Sequence, residues 1–216
     1  MVKRPRKSLS RERVLHAAVK LADKGGIEAL SMRKLARELG VEAMSLYNHV
    51  ANKDALVAGI LDLVASEFEL PSADSDWRTA MRQSAISAHD ALSRHPWAAG
   101  VWMSAREPSP VRLRYADAVL RSFREAGFRD DLTYHAFHIL QNHILGFTLQ
   151  ELNFPYDREE LKKLAATFLR DFPADEYPDL AEHIRRHVDP DEQHEGAFAF
   201  GLDLILEALE RLRDSA

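Results

Sequence analysis

Hydrophobic positions return every three or four residues along most of the chain, and no stretch alternates with period two. That rhythm predicts helices throughout and an all-α fold. Val14, Ala17, Ala18 and Leu21 make one stripe between Ser10 and the Gly25-Gly26 stop, predicting a first helix over that span. Met32, Leu35, Ala36 and Leu39 make a second, with Ser31 as its N-cap and Gly40 as the residue that ends it. The turn Gly40-Val41-Glu42-Ala43 leads into a short segment that turns Leu46 and Val50 inward and Ser45, Asn48 and His49 outward. Asn52 then caps a helix carrying Leu56, Ile60, Leu63 and Val64. Helix, tight turn with Gly, and short helix with a small polar outer face form a helix-turn-helix. The second helix of such a unit fits the major groove of DNA.

Beyond Leu70 the pattern continues. Residues 71–76 read as a polar linker, with Asp76 or Ser75 capping a helix that reaches about Arg94. His95-Pro96 ends it, because proline disfavours helical geometry in the residue before it. Ser109-Pro110 opens another helix, stopped at Gly127. The span from Asp131 to about Glu151 is apolar around most of its circumference, which implies burial on several sides. Asp157 with Glu160 resembles a capping box for the next helix. A last helix follows Asp189-Pro190, with Phe198, Leu202, Ile205, Leu209 and Leu212 on one stripe. The expected organisation is a three-helix DNA-binding domain at 1–70, closed by the start of a fourth helix, and a helical body at 71–216.

Charge sharpens the division. Residues 1–53 carry 12 Lys+Arg against 5 Asp+Glu, a balance of +7 that includes the basic arm Lys3, Arg4, Arg6 and Lys7. The remainder carries 17 against 29, a balance of −12, and the two sum to the net −5. A basic head on an acidic body implies that only the head meets a polyanion. With 216 residues, 46% of them hydrophobic, the chain can bury a substantial core. The absence of cysteine excludes disulfides, thiolate zinc sites and thiol nucleophiles. No signal peptide and no run near the roughly 18–20 apolar residues of a membrane span is visible, so a cytoplasmic protein is expected.

The run LARELGVEAMSLYNHVANKDAL, Leu35 to Leu56, resembles the DNA-binding segment of the TetR family of bacterial transcription regulators. Trp77, Gly127-Phe128, Leu145-Gly146 and the late FGLDLILEALERL are similar, in order, to that family's ligand-binding body. The resemblance implies a base-reading role for Arg33 and base or phosphate contacts for Ala43, Met44, Ser45, Tyr47 and His49. It also implies phosphate binding by Lys53. Arginine can bond bidentately to guanine, and Tyr, Ser and Lys can hold phosphates in register. Tyr47 also suits packing on the preceding helix, and His49 a solvated surface. Tetracycline-responsive members have Gln, Pro and Trp where this chain has Ala43, Met44 and Asn48, which implies a different operator.

The body departs from those members too. They hold a magnesium–drug chelate through a His, a Thr and a Glu, and the matching positions here are Trp102, Ala105 and Gln150, poor ligands for a hard cation. Ser84, Ala88 and Val119 match other drug-contacting positions. The resemblance therefore implies a metal-free and more apolar effector site, in which a planar or hydrophobic molecule suits Trp102, Met103, Val119, Tyr134 and Phe137. Each of these side chains also suits plain core. His138 with Gln141 reads as a hydrogen-bonding pair for such a ligand. His135 and His138 lie one turn apart and His183 and His187 at i, i+4, but two arginines between the latter mark a wet face, so no metal site or other cofactor is expected. The implied partners are double-stranded operator DNA, a small-molecule effector, and a second copy docked through helices 131–151 and 193–212. The competing class is an all-α small-molecule enzyme with an incidental basic N-terminus. Its motifs (a Gly-rich phosphate loop, GxSxG, HExxH) are missing from the sequence.

Overall fold

A computed structural model describes residues 8–105, 109–154, 156, 158–187 and 196–215. The basic arm, Asp157, Asp189-Pro190 and Gln193 lie outside them, as does the side chain of His187. Among the described residues every regular element is helical. Helix α1 (Arg11–Gly25) starts at Ser10, whose hydroxyl accepts from the Arg13 amide at 3.2 Å. Helix α2 (Met32–Leu39) starts at Ser31 in the same way, and Gly40 at φ 66° and ψ 38° turns the chain into α3 (Ala43–Leu46). Only glycine adopts that left-handed geometry cheaply. Asn52 caps α4 (Lys53–Ala65) by accepting from the Ala55 amide at 2.7 Å.

The body consists of α5 (Trp77–Arg94), α6 (Pro96–Trp102), α7 (Pro110–Glu125), α8 (Asp130–Asn153), α9 (Arg158–Arg170), α10 (Pro178–His187) and α11 (Ala197–Asp214). Helix α4 is shared: it packs on α1 at one end and on α5, α6 and α7 at the other, so a single apolar core runs through both halves. Gly59 makes the α1–α4 approach close enough, since a Cβ there would sit 2.7 Å from Leu15 Cδ2. Helix α8 packs on α5, α6, α7 and α11. Phe198 anchors α11 by stacking between His89 of α5, at 4.0 Å, and His143 of α8, at 4.8 Å.

Several expectations needed correction. Helices α6 and α10 have no counterpart in the periodicity. The first, PWAAGVW, lacks the polar face that would mark a period, and the second is short, with only Leu180, Ala181 and Ile184 to mark an apolar side. The last helix turns Leu206 into the core, whereas Leu212 is 53% exposed. Helix α8 is covered by four neighbouring helices, with Thr133, Ala136, Leu140, Ile144, Leu145 and Thr148 buried, but Tyr134 and Ile139 stay exposed within the single chain. A hydrophobic pattern states that a face needs cover but not which chain supplies it.

Candidate nucleic-acid interface and effector site

Four buried side chains set the helix-turn-helix. Leu35 and Ala36 of α2 and Leu46 and Val50 of the third segment point into the core, which turns the other faces outward. The regular part of the third segment is only Ala43–Leu46. It continues to Val50 through tight bonds from the Tyr47 amide to Met44 O and from the His49 and Val50 amides to Leu46 O. Met44 is 75% exposed and Tyr47 45%, and Arg33, Asn48 and Lys53 are exposed as well. Ala43, Ser45 and His49 are half-buried, and the Ser45 hydroxyl is turned back on the Glu42 carbonyl. Lys53 is the first residue of α4, where helix amides and a lysine together favour an anion.

The effector candidates separate into two groups. Ser84, Ala88 and Val119 are buried, and Trp102, Phe137 and Gln141 are half-buried. Met103 is 78% exposed, Tyr134 60%, and His138 and Gln150 are also on the surface of the single chain. His138 donates from Nδ1 to the Tyr134 carbonyl of its own helix at 2.8 Å, away from Gln141. Trp102, at the end of α6, stacks on Phe68 with ring centroids 5.2 Å apart and planes 21° apart. Phe68 in turn meets Tyr115 of α7 edge-on at 5.2 Å. The Ser84 hydroxyl donates to the Glu69 carbonyl at 2.7 Å. The Tyr115 hydroxyl is sealed from solvent, with the Ser84 and Gln141 side chains as its polar neighbours. Burial pushes this phenol up, and those two neighbours oppose the push only in part. Phe68 and Tyr115 were missed in the sequence, where nothing distinguishes them from ordinary core. A separate open cleft of about 370 Å³ between the end of α4 and α5 is lined by Glu67, Glu69, Asp90 and Arg94 among others, and by none of the effector candidates.

Residues 14–60 match the family description "Bacterial regulatory proteins, tetR family", and residues 70–213 match "Tetracyclin repressor-like, C-terminal domain". The chain belongs to the TetR family. It is 32% identical over 96% of its length to the HTH-type transcriptional repressor DrrR1 of Streptomyces coeruleorubidus, covering 80% of that protein. It is 31% identical over 94% of its length to the class D tetracycline repressor of Escherichia coli, covering 89% of it. A solved TetR transcriptional regulator of Streptomyces coelicolor superposes with a TM-score of 0.77 at 27% identity, over 95% of this chain and all of that one. The matched families and relatives are transcription regulators, not enzymes.

A TetR-family regulator has to connect its two halves, and a polar cluster does so here. The Asp23 carboxylate of α1 accepts from Trp97 Nε1 of α6 at 2.7 Å and lies 2.8 Å from His95 Nδ1. The other ring nitrogen of His95 is 3.1 Å from Glu67, which also accepts from Arg94 at 2.6 Å. Burial pushes the Glu67 carboxyl up, but the bonds from Arg94 and His95 together outweigh it and hold the group below its ordinary value. A second link ties α4 to α7, where Arg112 donates to Asp62 at 3.3 Å and to the Ala105 carbonyl at 3.5 Å. Among the described residues no three His, Asp or Glu side chains are grouped to hold a metal ion, and no helix is long and apolar enough to cross a membrane.

Proposed function

We propose that this chain is a homodimeric repressor that holds a palindromic operator and releases it when a small, largely apolar effector enters the body. The observation that carries the reading is the outward face of the helix-turn-helix on a basic head, attached to an acidic body. We divide the chain into a DNA-binding domain at 1–70 and an effector-binding and dimerisation domain at 71–216. Arg33 and the recognition-segment residues Ala43, Met44, Ser45, Tyr47, Asn48 and His49 read the major groove and fix its phosphates, with Met44, Tyr47 and Asn48 the most exposed of them, and Lys53 binds a phosphate at the start of α4. The exposed apolar residues Ile139 of α8 and Phe200, Leu204 and Leu212 of α11 form the face on which the second copy sits. A DNA-bound regulator of this kind works in the bacterial cytoplasm, associated with the nucleoid while on its operator.

Two-fold symmetry then places the recognition segments one DNA turn apart, roughly 34–36 Å, or a multiple of it. Footprinting is expected to show two protected half-sites, and protection of one asymmetric half-site by a monomer would overturn the reading. Arg33→Ala should cost about 1–3 kcal/mol and relax preference at one base pair, whereas Lys53→Ala should weaken all sequences alike and flatten the salt dependence. Binding titrations on operator and scrambled duplexes over a salt series separate the two.

The second expectation concerns release. Trp102, Ala105 and Gln150 offer a hard cation little, so an effector should free the DNA equally well with EDTA present. Trp102→Ala removes stacking area without touching the DNA-binding face, so it should blunt release and leave operator affinity nearly unchanged. An effector acts only through its different affinity for the DNA-competent and DNA-incompetent states, and lost pocket area reduces that difference. A response abolished by EDTA, or unaltered in the Trp102 variant, would contradict this.

A further inference from the structure

Phe198 opens the buried stripe of α11 and is held between two imidazoles, His89 of α5 at 4.0 Å and His143 of α8 at 4.8 Å. His143 donates from Nε2 to the Phe198 carbonyl at 2.9 Å. Gly201 makes room for it, since a Cβ there would sit 2.8 Å from His143 Cε1. His89 Nδ1 lies 2.8 Å from Thr148 Oγ1, and Nε2 lies 3.3 Å from Glu151 Oε2. Thr148 is fully buried, and its hydroxyl can instead donate to the Ile144 carbonyl at 2.6 Å. These partners serve either charge state of the ring. When neutral, His89 accepts from Thr148 and donates to Glu151; when charged, it donates to both, and the Thr148 proton turns to Ile144. A proton therefore enters without breaking a hydrogen bond of the ring. What it adds is a charge in an apolar seam, facing a second histidine across one phenyl ring.

We propose that His89 is a proton-operated latch on α11, and that uptake of one proton in mild acid loosens the dimer that holds the operator. This rests on the reading of α8 and α11 as the dimer face, and it adds a release signal to that of the effector. The sandwich holds the first turn of α11, while Arg82–Asp203 and Arg78–Glu210 tie its later turns to α5. Phe200 and Leu204, exposed side chains of the dimer face, follow directly on the sandwich. His89 faces Glu151 and His143 of α8, Asp90 of its own helix, and the uncharged Phe198 of α11. Burial is the main influence and holds the ring below the ordinary histidine value; Glu151 and Asp90 oppose it, and His143 adds to it. Glu151 is half-exposed, so its pull is screened. A histidine depressed in this way contributes stability that is present above its ordinary 6.5 and is lost as the pH falls through its lower folded value. The loss begins well above the carboxylate range in which Glu67 acts.

An NMR titration of the full-length protein, with the His89 ring assigned through its contacts to Phe198, should show that ring titrating below 6.5. Sedimentation equilibrium at about pH 7.5 and about pH 5.5, on either side of the ordinary histidine range, reads the consequence. The dimer dissociation constant of wild type should rise severalfold on acidification. His89→Gln keeps a polar partner for Thr148 but takes up no proton, so most of that rise should disappear, and at the lower pH this variant should hold operator more tightly than wild type. Glu151→Gln, at a half-exposed position that leaves the core intact, removes the opposing charge and should make the rise larger. The latch is refuted if His89 titrates at or above 6.5, if His89→Gln loses its dimer in acid as wild type does, or if Glu151→Gln shows no greater loss. A wild type that is monomeric at about pH 7.5 refutes the dimer reading and the latch with it, whereas a dimer equally tight at both pH values refutes the latch alone.

Discussion

Leu46→Ala is expected to cost the DNA-binding domain about 2–5 kcal/mol and to remove operator binding, the largest effect of any single side chain in the recognition segment. Leu46 is fully buried, and the helix that carries it has only four regular residues. So short a helix has almost no stability of its own, because one turn cannot offset the entropy of forming it. What holds its outer face toward DNA is the insertion of Leu46 and Val50 among Leu35, Ala36 and the neighbouring core. Met44→Ala, on the same helix but 75% exposed, should leave the melting curve within about 0.5 kcal/mol of wild type and change only base preference. Thermal and denaturant melts read by circular dichroism, beside operator titrations, compare the two. Operator affinity for Leu46→Ala within twofold of wild type would show that the segment is positioned by something else.

Asp23→Ala should be the most disruptive change in the polar cluster that links the two halves. The carboxylate is the acceptor for Trp97 Nε1 and the neighbour of His95, so its loss leaves a buried indole N–H without a partner, at about 1–3 kcal/mol. It also cuts the polar link between α1, which belongs to the DNA-binding half, and α6, whose far end carries Trp102. Both operator affinity and the extent of effector release are expected to fall, since each depends on a defined orientation of the two halves. Asp23→Asn keeps an acceptor for Trp97 and should recover most of the stability. Equal loss in Asn and Ala variants would point to the charge rather than the bond. Acid should loosen the same cluster. The depressed Glu67 carboxyl contributes stability that is present above its ordinary 4.5 and is lost as the pH falls through its lower folded value. Its side chain is partly solvated, so this contribution is small.

Much of the fold was legible because helix signals are local. A serine or asparagine cap, a three-to-four-residue apolar rhythm and a glycine stop all act within a few residues, and Ser10, Ser31, Gly40, Asn52, Asp76 and Ser109 stand in the structure where those rules put them. Helix α6 escaped because local rules need contrast, and a short segment with Trp97, Ala98 and Ala99 buried and little polar opposite them offers none. Of the residues singled out for an effector, Ser84, Ala88 and Val119 are buried, whereas Met103, Tyr134, His138 and Gln150 are surface residues of the single chain, because residue type alone does not say which side of a helix faces the core.

The sequence by itself determined the helical class, the helix-turn-helix, the basic head and acidic body, and the lack of cysteine chemistry. Each of these is a property of neighbouring residues or of a sum over residues. Only the tertiary structure decided which polar groups meet across the core. Phe68 comes against Trp102 thirty-four positions later, and Tyr115 against Ser84 and Gln141 from two other helices. Asp23 meets His95 and Trp97 more than seventy residues away. Whether a buried hydroxyl finds a partner depends on distances and angles between helices that pack through apolar side chains, and those contacts leave no mark on the spacing of residues along the chain.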